Sequence, residues 1–243
     1  MPYLQIKTLM FYKLSSTANL KDIESVFNAQ FRYPLLYNSK PIINGLSEQS
    51  LPIMRMNNSN VIEYAIWGML PDNYNDGWDN FQNLTNTLNI SIDKINELDW
   101  MKSSLVNKRC VVIVSGFFAS YLYNGEVYPF YVYAKNRQPF TLAGVYSRLA
   151  DGFMTVSLVT TTAGNGLKHV HNLGQDFPIC MSANNYKEWL NIDLARSTDD
   201  IENIKVADLK AHTISKEFYK NDIIFESVLD PAHYNDLPLL SIS

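Results

Sequence analysis

Apolar positions recur along the chain with two periods, and the change from one to the other divides it. In "SSTANLKDIESVFNAQF" the residues Leu20, Ile23, Val26, Phe27 and Phe31 fall three and four apart, behind hydroxyl residues suited to N-capping. That spacing predicts an amphipathic helix. "YPLLYNSKPIINGLSEQSLPIMRM" breaks short apolar pieces with Pro and Gly and reads as irregular chain entering a strand near residues 52–56. After the turn "NNSN", "VIEYAIWGML" reads as a strand with Trp67 and Gly68 near its end, and "PDNYNDGWDNFQN" as a polar, turn-rich loop. "TLNISIDKINELDWMKSSLVNKR" begins extended and becomes helical, with Ile92, Ile95, Leu98 and Met101 on one face.

Beyond Arg109 the pattern turns to strands: "CVVIVSGFF", "YLYN", "YPFYVYA", "FTLAGVYS" and "FMTVSLVTT". "NGE" and "KNRQP" are turn signals between neighbours, as in hairpins. A short helix around residues 167–171, a buried strand, a helix from Ser182 through "ANNYKEWL" and a last strand in "KVADLKAHTIS" follow, then a Pro-containing tail over about 225–243. Strands fill the middle and helices lie towards both ends, which points to the α+β class and not to alternating α/β. With no repeat and no low-complexity linker, residues 1–243 read as a single domain.

Composition adds limits. Net charge is −4 with 20 basic and 24 acidic residues, so the chain lacks the basic footprint of most nucleic-acid binders, though a local groove can still be positive. Cys110 and Cys180 sit in apolar runs and read as buried thiols, too few for a disulfide framework. No apolar stretch approaches ~18 residues, and the start "MPYLQIKTLMFYK" lacks the features of a signal peptide, so a cytoplasmic protein without a membrane span is expected. In "VSGFFASYLYNG" a Gly and two Phe stand at a strand end, yet nothing in residues 116–120 can accept a proton or attack a substrate. Glu126 beyond them reads as a hairpin-turn carboxylate. His169 and His171 lie two apart with no Cys or carboxylate cluster at ligand spacing, so no metal and no cofactor is expected.

Four ordered segments resemble one family: "VIEYAIWGMLP", "TLNISIDKI", "NKRCVVIVSGFFASYLYNGEVYPFYVYAK…FTLAGVYSRL" and "VSLVTTTAGNGLKHVHNLGQDFPICMSANNYKEWLN". Together they resemble the SRAP family, the SOS-response-associated peptidase-like or abasic-site-processing proteins. The resemblance implies a mixed, mainly antiparallel sheet or barrel flanked by helices. It also implies a chemistry in which an exposed N-terminal Cys traps the aldehyde of an abasic site in single-stranded DNA. A Glu assists proton transfer, a His acts near the sugar and an Asn holds the N-terminus or the sugar.

Matched residue by residue, the chemistry is thinned out. Phe11 stands at the Cys position, behind an extension of residues 1–9; processing after Met1 would expose Pro2, which has no thiol. Ala119 stands at the Glu position. Asn89 and Asp93 match in "LNISID", but Ser91 replaces an Arg that would fork onto phosphate. His171 matches the family His, so His171 and Asn89 are vestigial catalytic candidates. The DNA-facing candidates are Trp67, Gly68, Asn44, Ser91 and Arg109. Three have a plainer reading beside them: Trp67 as a core residue, Asn44 as a turn closer, and Arg109 with Lys108 as caps of a helix C-terminus. The expectation is a non-crosslinking relative in a DNA-damage setting, with weak single-stranded DNA or a protein as its partner. The alternative is an active abasic-site-trapping protein.

Overall fold

The computed structural model describes residues 11–97, 99–162, 166–192, 201, 204–220, 227–238 and 240. Residues 1–9, Leu98 and parts of the C-terminal tail, all named above, lie outside this set. The strands in chain order are β1 (Lys13–Ser16), β2 (Gln30–Phe31), β3 (Lys40–Asn44), β4 (Ser50–Arg55), β5 (Asn58–Trp67), β6 (Asn89–Ser91) and β7 (Arg109–Val114). They continue with β8 (Gly116–Tyr123), β9 (Glu126–Ala134), β10 (Phe140–Arg148), β11 (Met154–Thr161), β12 (Phe177–Pro178), β13 (Cys180–Met181) and β14 (Leu209–Thr213). The helices are α1 (Leu20–Phe27), α2 (Trp78–Leu84), α3 (Asp99–Asn107) and α4 (Tyr186–Asn191). The fold is α+β, as the pattern predicts.

Alternation along the central strands decides the layering. β7 is buried at every position; Cys110, Val112 and Val114 join one core while Val111 and Ile113 join another. The second core lies under the helices, which contribute Ile23 and Phe27 from α1, Met101 and Leu105 from α3, and Trp189 and Leu190 from α4. The larger sheet runs β12-β11-β10-β7-β4-β5-β2. Parallel pairing of β5 with β11, Thr155 opposite Ile66 and Val156 opposite Trp67, joins two members of that run and closes β11-β10-β7-β4-β5 into a barrel. The smaller sheet, β14-β9-β8-β1-β3, is antiparallel throughout. Its outer face carries a third apolar cluster in which Phe118, Tyr131 and Tyr133 meet Ile214, Phe218 and Val228.

Four local expectations are corrected. The cap of α1 is Asn19, whose side chain accepts the Asp22 N–H, and not one of the hydroxyl residues before it. Phe31 belongs to β2, because α1 stops at Asn28 in the left-handed region (φ 48°). The loop after Pro71 contains α2, held by Trp78, whose indole N–H donates to the Trp67 and Gly68 carbonyls at 3.0 and 3.2 Å. Phe81, one turn on, packs against Tyr74 and Trp100; two apolar positions in seven residues make too short a repeat to stand out from the polar loop around them. "KNRQP" is a crossover and not a hairpin: β9 pairs with β8 and β14, whereas β10 pairs with β7, β11 and β13. "NGE" does form its hairpin, with Asn124 at φ 49° and Gly125 at φ 82° joining β8 to β9.

Candidate functional site

The site is assembled where β1, β6 and β8 approach the loop before β12. On β8 the alternation sends Phe117 and Ala119 into the main core and Gly116 and Phe118 to the other face. Phe11, just before β1, lies against that inner face and is 3% exposed. Its ring centroid is 5.6 Å from that of Phe117, edge to face, and 4.8 Å from that of His171. Asn89, at the start of β6, donates from Nδ2 to the Phe11 carbonyl at 2.8 Å. The side chain thus holds the backbone at the position where the resemblance implies an N-terminal residue. Asn89 Oδ1 is buried without a partner.

His171 is 4% exposed and closes the edge of β8 that β1 leaves unpaired. Its Nδ1 accepts the Ser120 N–H at 3.3 Å. The next residue, Asn172, exchanges both amide hydrogen bonds with the Leu122 backbone at 2.7 and 2.9 Å, so the pair extends the ladder where no strand follows. Because Nδ1 is the acceptor, the neutral ring carries its proton on Nε2, and Nε2 is buried without a partner. Burial pushes the imidazole pKa down to about 4, so the ring is uncharged at neutral pH. Ala119 is 2% exposed opposite Phe130 on β9 and supplies no proton-transfer group. Ser91 is buried, and its hydroxyl donates to Asp176 at 3.4 Å, so a carboxylate stands where the resemblance implies a phosphate-binding Arg.

Neither thiol is placed to act as a nucleophile. Cys110 and Cys180 are fully buried, and burial pushes both thiols up, which keeps them protonated.

A family model described as SOS response associated peptidase (SRAP) matches residues 10–221. The chain belongs to the SRAP family. Among curated proteins no sequence match was found. A crystal structure of a protein from Bacteroides thetaiotaomicron is 22% identical with a TM-score of 0.77, covering 91% of this chain and 100% of that one. A protein from Bordetella bronchiseptica is 14% identical (TM-score 0.66, covering 84% and 99%), and a phage-related protein from the same organism is 15% identical (TM-score 0.60, covering 84% and 94%). At these identities the likeness concerns the fold.

Within this SRAP chain the DNA-facing candidates separate. Trp67 is fully buried; its indole N–H donates to the Leu88 carbonyl at 2.9 Å, and a Cβ on Gly45 would stand 2.7 Å from its ring. It offers no open face to a base, so the core reading replaces the stacking one. Gly68, at φ 104°, lies under Trp78 and Gln82, where a Cβ would come within 2.9 Å of both, and serves packing. Asn44 closes a turn through Oδ1, which accepts the Leu46 N–H at 3.1 Å. Arg109 is 3% exposed and cannot reach a phosphate. Its guanidinium donates to the carbonyls of Leu105, Val106, Trp189, Leu190 and Ile192, at the ends of α3 and α4. Glu126 is exposed and ion-paired with Lys216.

Sequence reading missed Ser120 and Asp176. Ser120 orients His171 through its backbone, and its hydroxyl accepts from the Tyr219 hydroxyl at 2.8 Å. No sequence signal marks either residue, since each acts across 51 to 99 positions of chain.

Proposed function

We propose that this SRAP-family protein acts in a DNA-damage setting without forming the family's covalent crosslink, holding single-stranded DNA weakly and reversibly. The observation that carries the reading is the Phe11 ring seated on His171. Trapping an abasic-site aldehyde as a thiazolidine needs an amine to form an imine and an adjacent thiol to close the ring. Phe11 brings an apolar ring to that place, and its nitrogen lies within the chain. Imine formation also needs a proton donor and acceptor. Ala119 is neither, and His171, neutral and shut beneath Phe11, is not placed to exchange protons with a substrate.

The test mixes the full chain with single-stranded DNA carrying one abasic site and resolves the products on a denaturing gel. Wild type is expected to leave the DNA unshifted. A shifted band that survives denaturation and disappears in His171→Ala would overturn the reading. A parallel binding assay at low salt checks the reversible part: absence of binding there removes DNA as the ligand and leaves a protein partner.

A further inference from the structure

The third apolar cluster covers the outer face of the smaller sheet only in part, and where that cover stops a cleft of about 770 Å³ opens. Its volume is within the range of small-molecule sites. None of the residues lining it belongs to the Phe11 site, and the inference does not depend on the reading of that site.

The floor is aromatic. Tyr131 and Tyr133, two apart on β9, stack at 5.6 Å, and His212 on β14 meets their rings at 5.8 and 5.3 Å. Tyr131 lies flat over Gly116, where any Cβ would stand 2.4 to 2.6 Å from its ring and hydroxyl. His212 Nε2 is 2.8 Å from the Leu229 carbonyl, which fixes its proton there and leaves Nδ1 as an acceptor.

The decisive side chain is Arg137. The β9–β10 crossover sets it at φ 60°, an uncommon backbone for a residue with a Cβ, fastened by its N–H to the Ala134 carbonyl at 2.8 Å. This aims the guanidinium over the Tyr133 ring at 3.7 Å. The other arginines of the described residues all have acceptors: Arg32 and Arg55 share Glu63, Arg109 caps two helices and Arg148 reaches the Gly152 carbonyl. Arg137, among the described residues, has no hydrogen-bond or ion-pair partner, and it lines the cleft.

We propose that this cleft binds a small planar molecule carrying one carboxylate, its ring against His212 at the edge of the Tyr131–Tyr133 stack and its carboxylate on Arg137. A guanidinium held flat on an aromatic ring keeps its donor edge free for a two-pronged bond to a carboxylate. Asp22 and Asp230 on the rim oppose a more highly charged anion, which favours one negative charge over a phosphate dianion.

The probe is 2-naphthoate, titrated into the full chain by calorimetry or ligand-observed NMR. It is expected to bind at least tenfold more tightly than 2-naphthol and more tightly than 2-naphthyl phosphate. Arg137→Asn removes the guanidinium while keeping a residue tolerant of the left-handed backbone. That variant should melt within a few degrees of wild type and weaken naphthoate at least tenfold, whereas Arg148→Asn should bind it as wild type does. No binding by wild type at millimolar naphthoate, equal binding of naphthol, tighter binding of the phosphate, or unchanged affinity in Arg137→Asn would each overturn the proposal. Equal losses in both arginine variants would do so too, by showing that only general charge is read.

Discussion

Phe11 and His171 show how one side chain sets what its neighbour can do. The Phe11 ring excludes water from His171, and burial then holds the imidazole neutral with a pKa of about 4. An unfolded histidine titrates near 6.5. Between these values the unfolded chain takes up a proton that the folded chain does not, so stability falls as pH falls from about 6.5 to about 4. The loss is of order 3 kcal/mol across the window, and stability is level above it. His212, also lowered by burial, acts with the same sign. Urea midpoints measured at pH 7, 6 and 5 should therefore decline, and His171→Gln should make the decline shallower. A wild-type midpoint that stays constant down to pH 5 would contradict this account of the buried ring. The resemblance singles out His171, Asn89 and Ala119 from the sequence alone. The Phe11 ring on His171 and the Asn89 bond to the Phe11 carbonyl were not legible there, because they depend on residues 78 to 160 positions apart meeting in space.

At the scale of elements, Arg109 does the most for the fold among the residues singled out from sequence. Five carbonyls at the ends of α3 and α4 converge on one planar guanidinium, which fixes both helices against β7. Arg109→Lys replaces that fork with a single ammonium that has three donors, so chemical denaturation should show a loss of about 3 kcal/mol. Binding of single-stranded DNA per folded molecule should stay as it was. A variant as stable as wild type that binds DNA less well would restore the phosphate-contact reading. α1 and β9 to β11 could be read directly because apolar positions run through each, whereas the break between β7 and β8 falls at Ser115, inside the apolar run "CVVIVSGFF", where no turn residue marks it. α2 is not legible in the pattern because only Trp78 and Phe81, a single turn apart, anchor it. The β9–β10 crossover looked like a hairpin because turn residues report only the local bend, not which sheet receives the next strand.

For the whole molecule, net charge and site composition set the expected DNA behaviour. The chain carries −4, the Arg109 guanidinium is bonded internally, and the Ser91 hydroxyl donates to Asp176 where the resemblance implies an arginine. Binding of undamaged single-stranded DNA should therefore engage few phosphates. A plot of log affinity against log salt should be no steeper than about −1.4, the value for roughly two contacts at ~0.7 each. A markedly steeper slope would reveal a basic track that these residues do not supply. The α+β class, the strand-rich middle and the order of motifs that marks a SRAP chain were determined by the sequence alone, because they depend on local periodicity and residue order. Closure of the barrel through β5 and β11, the burial of Trp67 and Arg109, and the cleft around Arg137 were decided only by the tertiary structure. Each requires strands and side chains distant in sequence to meet, and apolar period and turn chemistry do not encode which of the possible partners that will be.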